Sequence, residues 1–151
     1  MKENKQENLF PMDELSEWRG KIINLTIMVD STLNSLLLHY FPKSNRAEDF
    51  WKIVLHDESF TSSFKIKIIN RLGLLDKYTG IKKDLQRIFE IRNKAAHSMP
   101  IGGSSSPIIL INSRTSEIKS LEIMYNELLQ LIPKVNSALE EVMIQIVKKE
   151  I

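Results

Sequence analysis

The sequence predicts an all-α protein, an antiparallel bundle of four or five helices with a small β excursion near residues 99–112. Apolar residues recur at helical spacing over most of the 151-residue chain. Only five Gly and five Pro are present, which argues against a many-stranded sandwich or barrel. The absence of cysteine excludes a disulfide framework, a thiolate metal site and a cysteine nucleophile.

The sequence predicts a flexible leader over residues 1–10, followed by a single helical domain over residues 11–151. The first long helix begins at Met12, with Asp13 as its cap, and ends at Tyr40 because Pro42 follows. Its apolar stretches are interrupted by polar residues and fall short of the ~20 residues that span a bilayer. No signal peptide is evident. These features predict a cytoplasmic protein without a membrane partner.

The middle of the chain predicts three further helices. A short helix lies within residues 43–60, and a third helix opens at Thr61 or Ser62 and carries apolar residues to Leu75. Gly80 precedes a fourth helix that ends near His97, because Pro100 and a Gly/Ser-rich run cannot continue it.

The C-terminal part predicts one strand and one long helix. The run 107–111 is short, β-branched and bounded by turn residues, which is typical of a strand, and it can pair with residues 99–101 in a hairpin. Thr115 or Ser116 then caps a last helix, which Pro133 kinks or splits.

The positive charge is concentrated in one segment. The chain has a net charge of only +2, but residues 61–97 hold nine basic and three acidic side chains, a net charge of +6. One interpretation is two solvated helix faces. The other is a basic patch that follows a phosphate backbone, with candidate RNA-binding residues Lys82, Lys83, Arg87 and Lys94.

Three residues at the end of the fourth helix could carry chemistry. Asn93 and His97 lie one turn apart on one face, and Arg92 lies beside them. Arginine can hold a phosphate bidentately, and histidine ordinarily titrates near neutral pH. The alternative is that Arg92 is an ordinary surface charge and His97 a residue that stabilises the helix end.

The stretch Arg92-Asn93-x3-His97 resembles the R-x4-6-H signature of HEPN domains, at its shortest spacing. The order of helices is similar too, and the segment shows a weaker likeness to the mannitol operon repressor-like branch. The resemblance implies a metal-independent endoribonuclease without a cofactor, acting as a toxin or phage-defence effector. It also implies a homodimer with the motif at the interface, RNA as substrate, and an antitoxin protein as a partner.

The resemblance implies that the ribose 2′-oxygen attacks phosphorus and leaves a 2′,3′-cyclic phosphate. His97 is then general base or acid, Arg92 stabilises the phosphorane, and Asn93 orients His97 or the phosphate. The single motif histidine of each chain, His97, does not easily serve as both base and acid, which favours a symmetric dimer.

Asp30 is a supporting candidate because it interrupts the apolar first helix, and a buried carboxylate needs a partner. The layout of the HEPN family makes Arg92, Asn93 or His97 candidate partners. Alternatively, Asp30 lies at the edge of the apolar stripe and is solvated.

Two other functions remain open from the sequence. One is a non-catalytic dimeric module that regulates transcription or binds a protein or nucleotide partner. The other is small-ligand binding at the groove between Arg92 and His97.

Overall fold

The computed structural model describes residues 12–97 and 107–149, and every regular element within these ranges is helical. The all-α prediction is therefore confirmed for this part of the chain. The predicted leader and residues 99–101 lie outside the described residues. The helices are α1 (Met12–Tyr40), α2 (Ala47–Asp49), α3 (Ser62–Arg71), α4 (Ile81–His97) and α5 (Pro107–Val147).

Local signals in the sequence account for several helix ends. α1 ends at Tyr40, as the nearby Pro42 predicts. Thr61 caps α3, and its side-chain oxygen accepts a hydrogen bond from the Phe64 amide at 3.3 Å. Gly80 has a φ of 83°, a left-handed conformation that glycine adopts without strain, directly before α4 begins.

The predicted short helix after Pro42 is divided into three pieces. A 3₁₀ turn (Ser44–Arg46) leads into α2, and α2 leads into a π-helical segment (Phe50–Leu55). Leu55 is buried in the core, and Phe50 and Trp51 pack against it. The third helix is shorter than expected, since α3 ends at Arg71 and turns follow as far as Gly80.

The prediction of a strand over residues 107–111 is wrong, because this run forms the beginning of α5. The predicted start of the last helix at Thr115 or Ser116 is wrong for the same reason. Proline is tolerated in the first turn of a helix, where its missing N–H needs no partner, so Pro107 can open α5. Pro133 does not split α5, which continues to Val147.

The helices surround one apolar core in a bundle-like fold. α5 packs mainly along α1, α4 packs against both, and α3 contacts α1 and α4. The Trp18 and Tyr125 rings meet edge to face at 5.5 Å between α1 and α5. The antiparallel order of the bundle stays a prediction. The largest fully buried core side chains are Ile22, Val29, Leu33, Leu36, Leu37, Ile69, Leu75, Leu85, Ile88, Ile91, Leu128 and Leu139.

α1 is also long and apolar enough to cross a membrane, judged by length and composition alone. The segment Glu14–Tyr40 reaches a mean hydropathy of 1.2. Isolated polar residues interrupt its apolar runs, so the segment stands out only when hydropathy is averaged along the helix. The core helix of a soluble protein meets the same criterion, and a third of this window is buried inside the protein. The cytoplasmic location stays a prediction.

Candidate functional site

α4 presents the three predicted catalytic residues on its exposed side near its C-terminal end. Its opposite face is anchored in the core by a row of buried apolar side chains, among which Ile91 and Ala95 are fully buried. Arg92, Asn93 and His97 are all exposed. The core contacts of α4 therefore hold the helix so that these three side chains can reach a ligand.

Asn93 and His97 line one groove between α4 and α5, with a volume of about 540 Å³. The spacing of one helical turn places both on the same wall, as the sequence predicts. Arg92 lies beside the groove, and its Nη1 donates a hydrogen bond to Asn93 Oδ1 at 3.4 Å. The structure therefore brings an imidazole, an amide and a guanidinium together at one end of α4.

The other wall of this groove, the motif groove, is contributed by α5. It offers apolar surface from Leu121 and Met124, together with Ser120 and Glu117. The Glu117 carboxylate is held by Arg19 of α1, at 2.7 Å from Nη2 to Oε1. The motif groove thus combines apolar surface with hydrogen-bonding groups, a combination that suits a planar polar ligand such as a nucleobase.

Asp30 is not hydrogen-bonded to the motif; both partners that the structure gives it lie on α3. Its Oδ2 lies 2.8 Å from Lys65 Nζ, and its Oδ1 accepts a hydrogen bond from Ser62 Oγ at 2.6 Å. Lys65 is only 4% exposed, so its ammonium is largely shielded from water, whereas the Asp30 side chain is 28% exposed. The expectation of a partner among the motif residues is wrong, because tertiary packing sets α3 beside Asp30.

The four predicted RNA-binding residues divide into two pairs. Lys82 binds Asp76 across the turn before α4, and Arg87 binds Glu127 of α5 through two hydrogen bonds of 2.7 and 2.8 Å. Lys83 and Lys94 are exposed and form no ion pair with any residue in the described ranges. Only the second pair is free to meet a phosphate without breaking an existing contact.

Two further cations of the basic segment lie near the motif. Lys67 and Arg71 lie one turn apart on α3 and line a second groove, between α3 and α4. Asn93 lines this groove too, so both grooves meet at that side chain. Two signals in the sequence indicate this pair, the concentration of positive charge over residues 61–97 and the four-residue spacing on a predicted helix.

The ion pair between Arg87 and Glu127 gives a testable pH dependence. Hydrogen bonds from Arg87 lower the pKa of Glu127 from its ordinary 4.5. A carboxylate whose pKa is depressed by folding stabilises the protein above its unfolded pKa and loses that contribution as the pH falls through its folded pKa.

Glu127→Gln should therefore lower the free energy of unfolding at pH 7 by about 1 kcal/mol or less, since the pair is partly exposed. The deficit should shrink as the pH falls below 4.5. Urea unfolding of the variant and wild type at pH 7 and at a pH below 4.5 measures the two stability differences. Glu122→Gln, an exposed carboxylate on the same helix, is the matched control. A stability deficit that stays constant with pH would show that the ionised Glu127 carboxylate does not stabilise the protein through Arg87.

The other two histidines are engaged elsewhere. His39 Nδ1 lies 2.7 Å from the Ser35 carbonyl oxygen, and the His56 ring meets Trp51 edge to face at 4.8 Å. Within residues 12–97 and 107–149, no three His, Asp or Glu side chains are grouped closely enough to hold a metal ion.

Comparison with known proteins adds no relative: no family model, no curated protein and no solved structure matches the chain.

Proposed function

We propose that this protein is a metal-independent endoribonuclease of the HEPN type, acting as a toxin or phage-defence effector in the cytoplasm. The observation that carries the proposal is the placement of Asn93 and His97 in one groove, with Arg92 hydrogen-bonded to Asn93. All three side chains are exposed at a helix end, where an RNA strand can reach them.

The reaction is an internal transfer at phosphorus. A histidine removes the proton from the ribose 2′-hydroxyl, and the 2′-oxygen forms a bond to phosphorus. The bond from phosphorus to the 5′-oxygen breaks, and that oxygen takes a proton from a second, protonated histidine. The products are a 2′,3′-cyclic phosphate and a 5′-hydroxyl, and no oxidant or co-reactant is consumed.

The second histidine comes from a second copy of the chain. His97 is the one histidine in the motif groove among the described residues, since His39 and His56 have other neighbours. A homodimer with two motifs facing each other supplies a base from one protomer and an acid from its partner. The Arg92 guanidinium stabilises the charge that develops on the phosphoryl oxygens, and Asn93 holds Arg92 and the phosphate in register.

Induced expression in a bacterial host tests the proposal, with growth and total RNA integrity as readouts. Wild type should arrest growth and fragment RNA, whereas His97→Ala and Arg92→Ala should do neither while remaining folded. His39→Ala and Arg46→Ala are matched controls, since both residues are exposed and lie outside the motif groove. The controls should behave like wild type.

Identical behaviour of wild type and both motif variants would overturn the nuclease. In that case the motif is structural, and a non-catalytic dimeric module that binds a protein or nucleotide becomes the better account.

A further inference from the structure

The second groove, between α3 and α4, adjoins the motif and is referred to as the α3–α4 groove. It has a volume of about 490 Å³. It shares Asn93 with the motif groove, so the two grooves adjoin at that side chain. Its lining combines the Lys67 and Arg71 cations with the apolar side chains Ile66 and Phe89, the Asn70 side chain and the Glu90 carboxylate.

Lys67 and Arg71 give the α3–α4 groove two cations against the single carboxylate of Glu90 in its lining. Both are exposed, and neither forms an ion pair with any residue that the structure describes. This distinguishes them from Lys65 of the same helix, which is buried against Asp30. Residues four apart on a helix lie on one face about 5–6 Å apart, a separation comparable to that of adjacent phosphates in an extended strand.

The floor of the groove has both apolar surface and an unsatisfied acceptor. Ile66 and Phe89 supply the apolar surface. Asn70 Oδ1 is buried and accepts no hydrogen bond from any described residue. A buried acceptor without a donor is uncommon in folded proteins. Because this oxygen is shielded from solvent, a ligand that donates a hydrogen bond satisfies it only when the Asn70 side chain rotates toward the groove. A ribose 2′-hydroxyl is such a donor, and it is the group that distinguishes RNA from DNA.

We propose that the α3–α4 groove binds the backbone of single-stranded RNA. Lys67 and Arg71 hold successive phosphates, Asn70 accepts from a ribose hydroxyl, and the strand passes Asn93 to reach His97. The volume is that of a small-ligand site, so the groove holds only a short part of the strand at a time. The inference rests on the proposed nuclease function, because it assigns the path by which that substrate enters.

Fluorescence anisotropy with a short labelled RNA of mixed sequence tests the groove. The titrations use full-length His97→Ala protein, so that the RNA stays intact, over a range of salt concentrations. Adding Lys67→Ala and Arg71→Ala should weaken RNA binding roughly tenfold or more at low salt. The slope of log K against log[salt] should fall by about 1.4, because that is the loss expected for two phosphate contacts on a single strand.

Lys134→Ala with Lys148→Ala is the matched control, since it removes the same charge from exposed positions of α5 and the turn after it. The control should change affinity much less than the groove variant. Adding Asn70→Ala to His97→Ala should reduce the preference for RNA over DNA of the same sequence. Equal losses in groove and control variants, absent RNA binding, or preferred binding of duplex RNA would overturn the inference.

The outcomes separate the groove from the chemistry. Wild type that leaves RNA intact, combined with binding that depends on Lys67 and Arg71, overturns the nuclease and retains a single-strand binding site. If wild type cleaves RNA but the affinity for RNA does not depend on Lys67 and Arg71, the proposal for the α3–α4 groove is wrong and the nuclease proposal stands.

Discussion

His97→Ala is expected to lower the RNA cleavage rate of the purified protein by about 10²- to 10⁴-fold, the usual contribution of a positioned general acid or base. The ring lies in the motif groove and is exposed, so its removal leaves no buried cavity and should not impair folding. The cleavage rate on a labelled RNA is measured under single-turnover conditions. The products of the wild-type protein should end in a 2′,3′-cyclic phosphate. Its cleavage activity should be unchanged when a chelator is present.

The matched control is His39→Ala, which removes an exposed histidine from the last turn of another helix, α1. Its cleavage rate should equal that of wild type. A rate in His97→Ala within a few-fold of the control would show that the imidazole takes no part in proton transfer. Loss of activity on chelation would instead contradict metal independence.

Asp30→Ala is expected to lower the free energy of unfolding by about 3 kcal/mol, because it leaves the Lys65 ammonium buried without its counter-charge. Lys65 is 4% exposed, and Asp30 binds it at 2.8 Å while also accepting from Ser62. Urea denaturation of the purified variant measures the loss. Asp49→Ala, at an exposed carboxylate, should cost far less.

The double variant Asp30→Ala with Lys65→Met separates a lost charge partner from a general packing defect. Replacing a buried ion pair by apolar residues is often neutral or stabilising, so the double variant should recover much of the stability that Asp30→Ala loses. A double variant that is even less stable than the single one would refute the buried-charge explanation.

Several features of the fold follow from short stretches of sequence. Thr61 caps α3, Gly80 precedes α4 and Pro42 follows α1, because each of these residues satisfies or prevents backbone hydrogen bonds within a few positions of itself. The pairing of Asn93 with His97 in one groove is equally local, since residues one turn apart share a face in any α-helix.

The run 107–111 shows where local reasoning fails. A short β-branched apolar run is compatible with a strand or with a helix, and periodicity over five residues does not distinguish them. In the structure the run continues directly into α5, the long helix that packs along α1. Helices derive most of their stability from packing rather than from intrinsic propensity, which is why the longer context outweighs the β-branched residues.

The amino-acid sequence was sufficient to predict the helical class, most helix ends and the Arg92-Asn93-His97 cluster, because these depend on contacts within one or two helical turns. Tertiary structure alone gave Asp30 its partner Lys65, neutralised Arg87 with Glu127, and joined two grooves at Asn93. Those residue pairs are separated by 35 to 40 positions in the chain. Burial of the shared apolar core determines which helix faces pack against each other. The spacing of residues along one helix does not indicate which helix it will pack against.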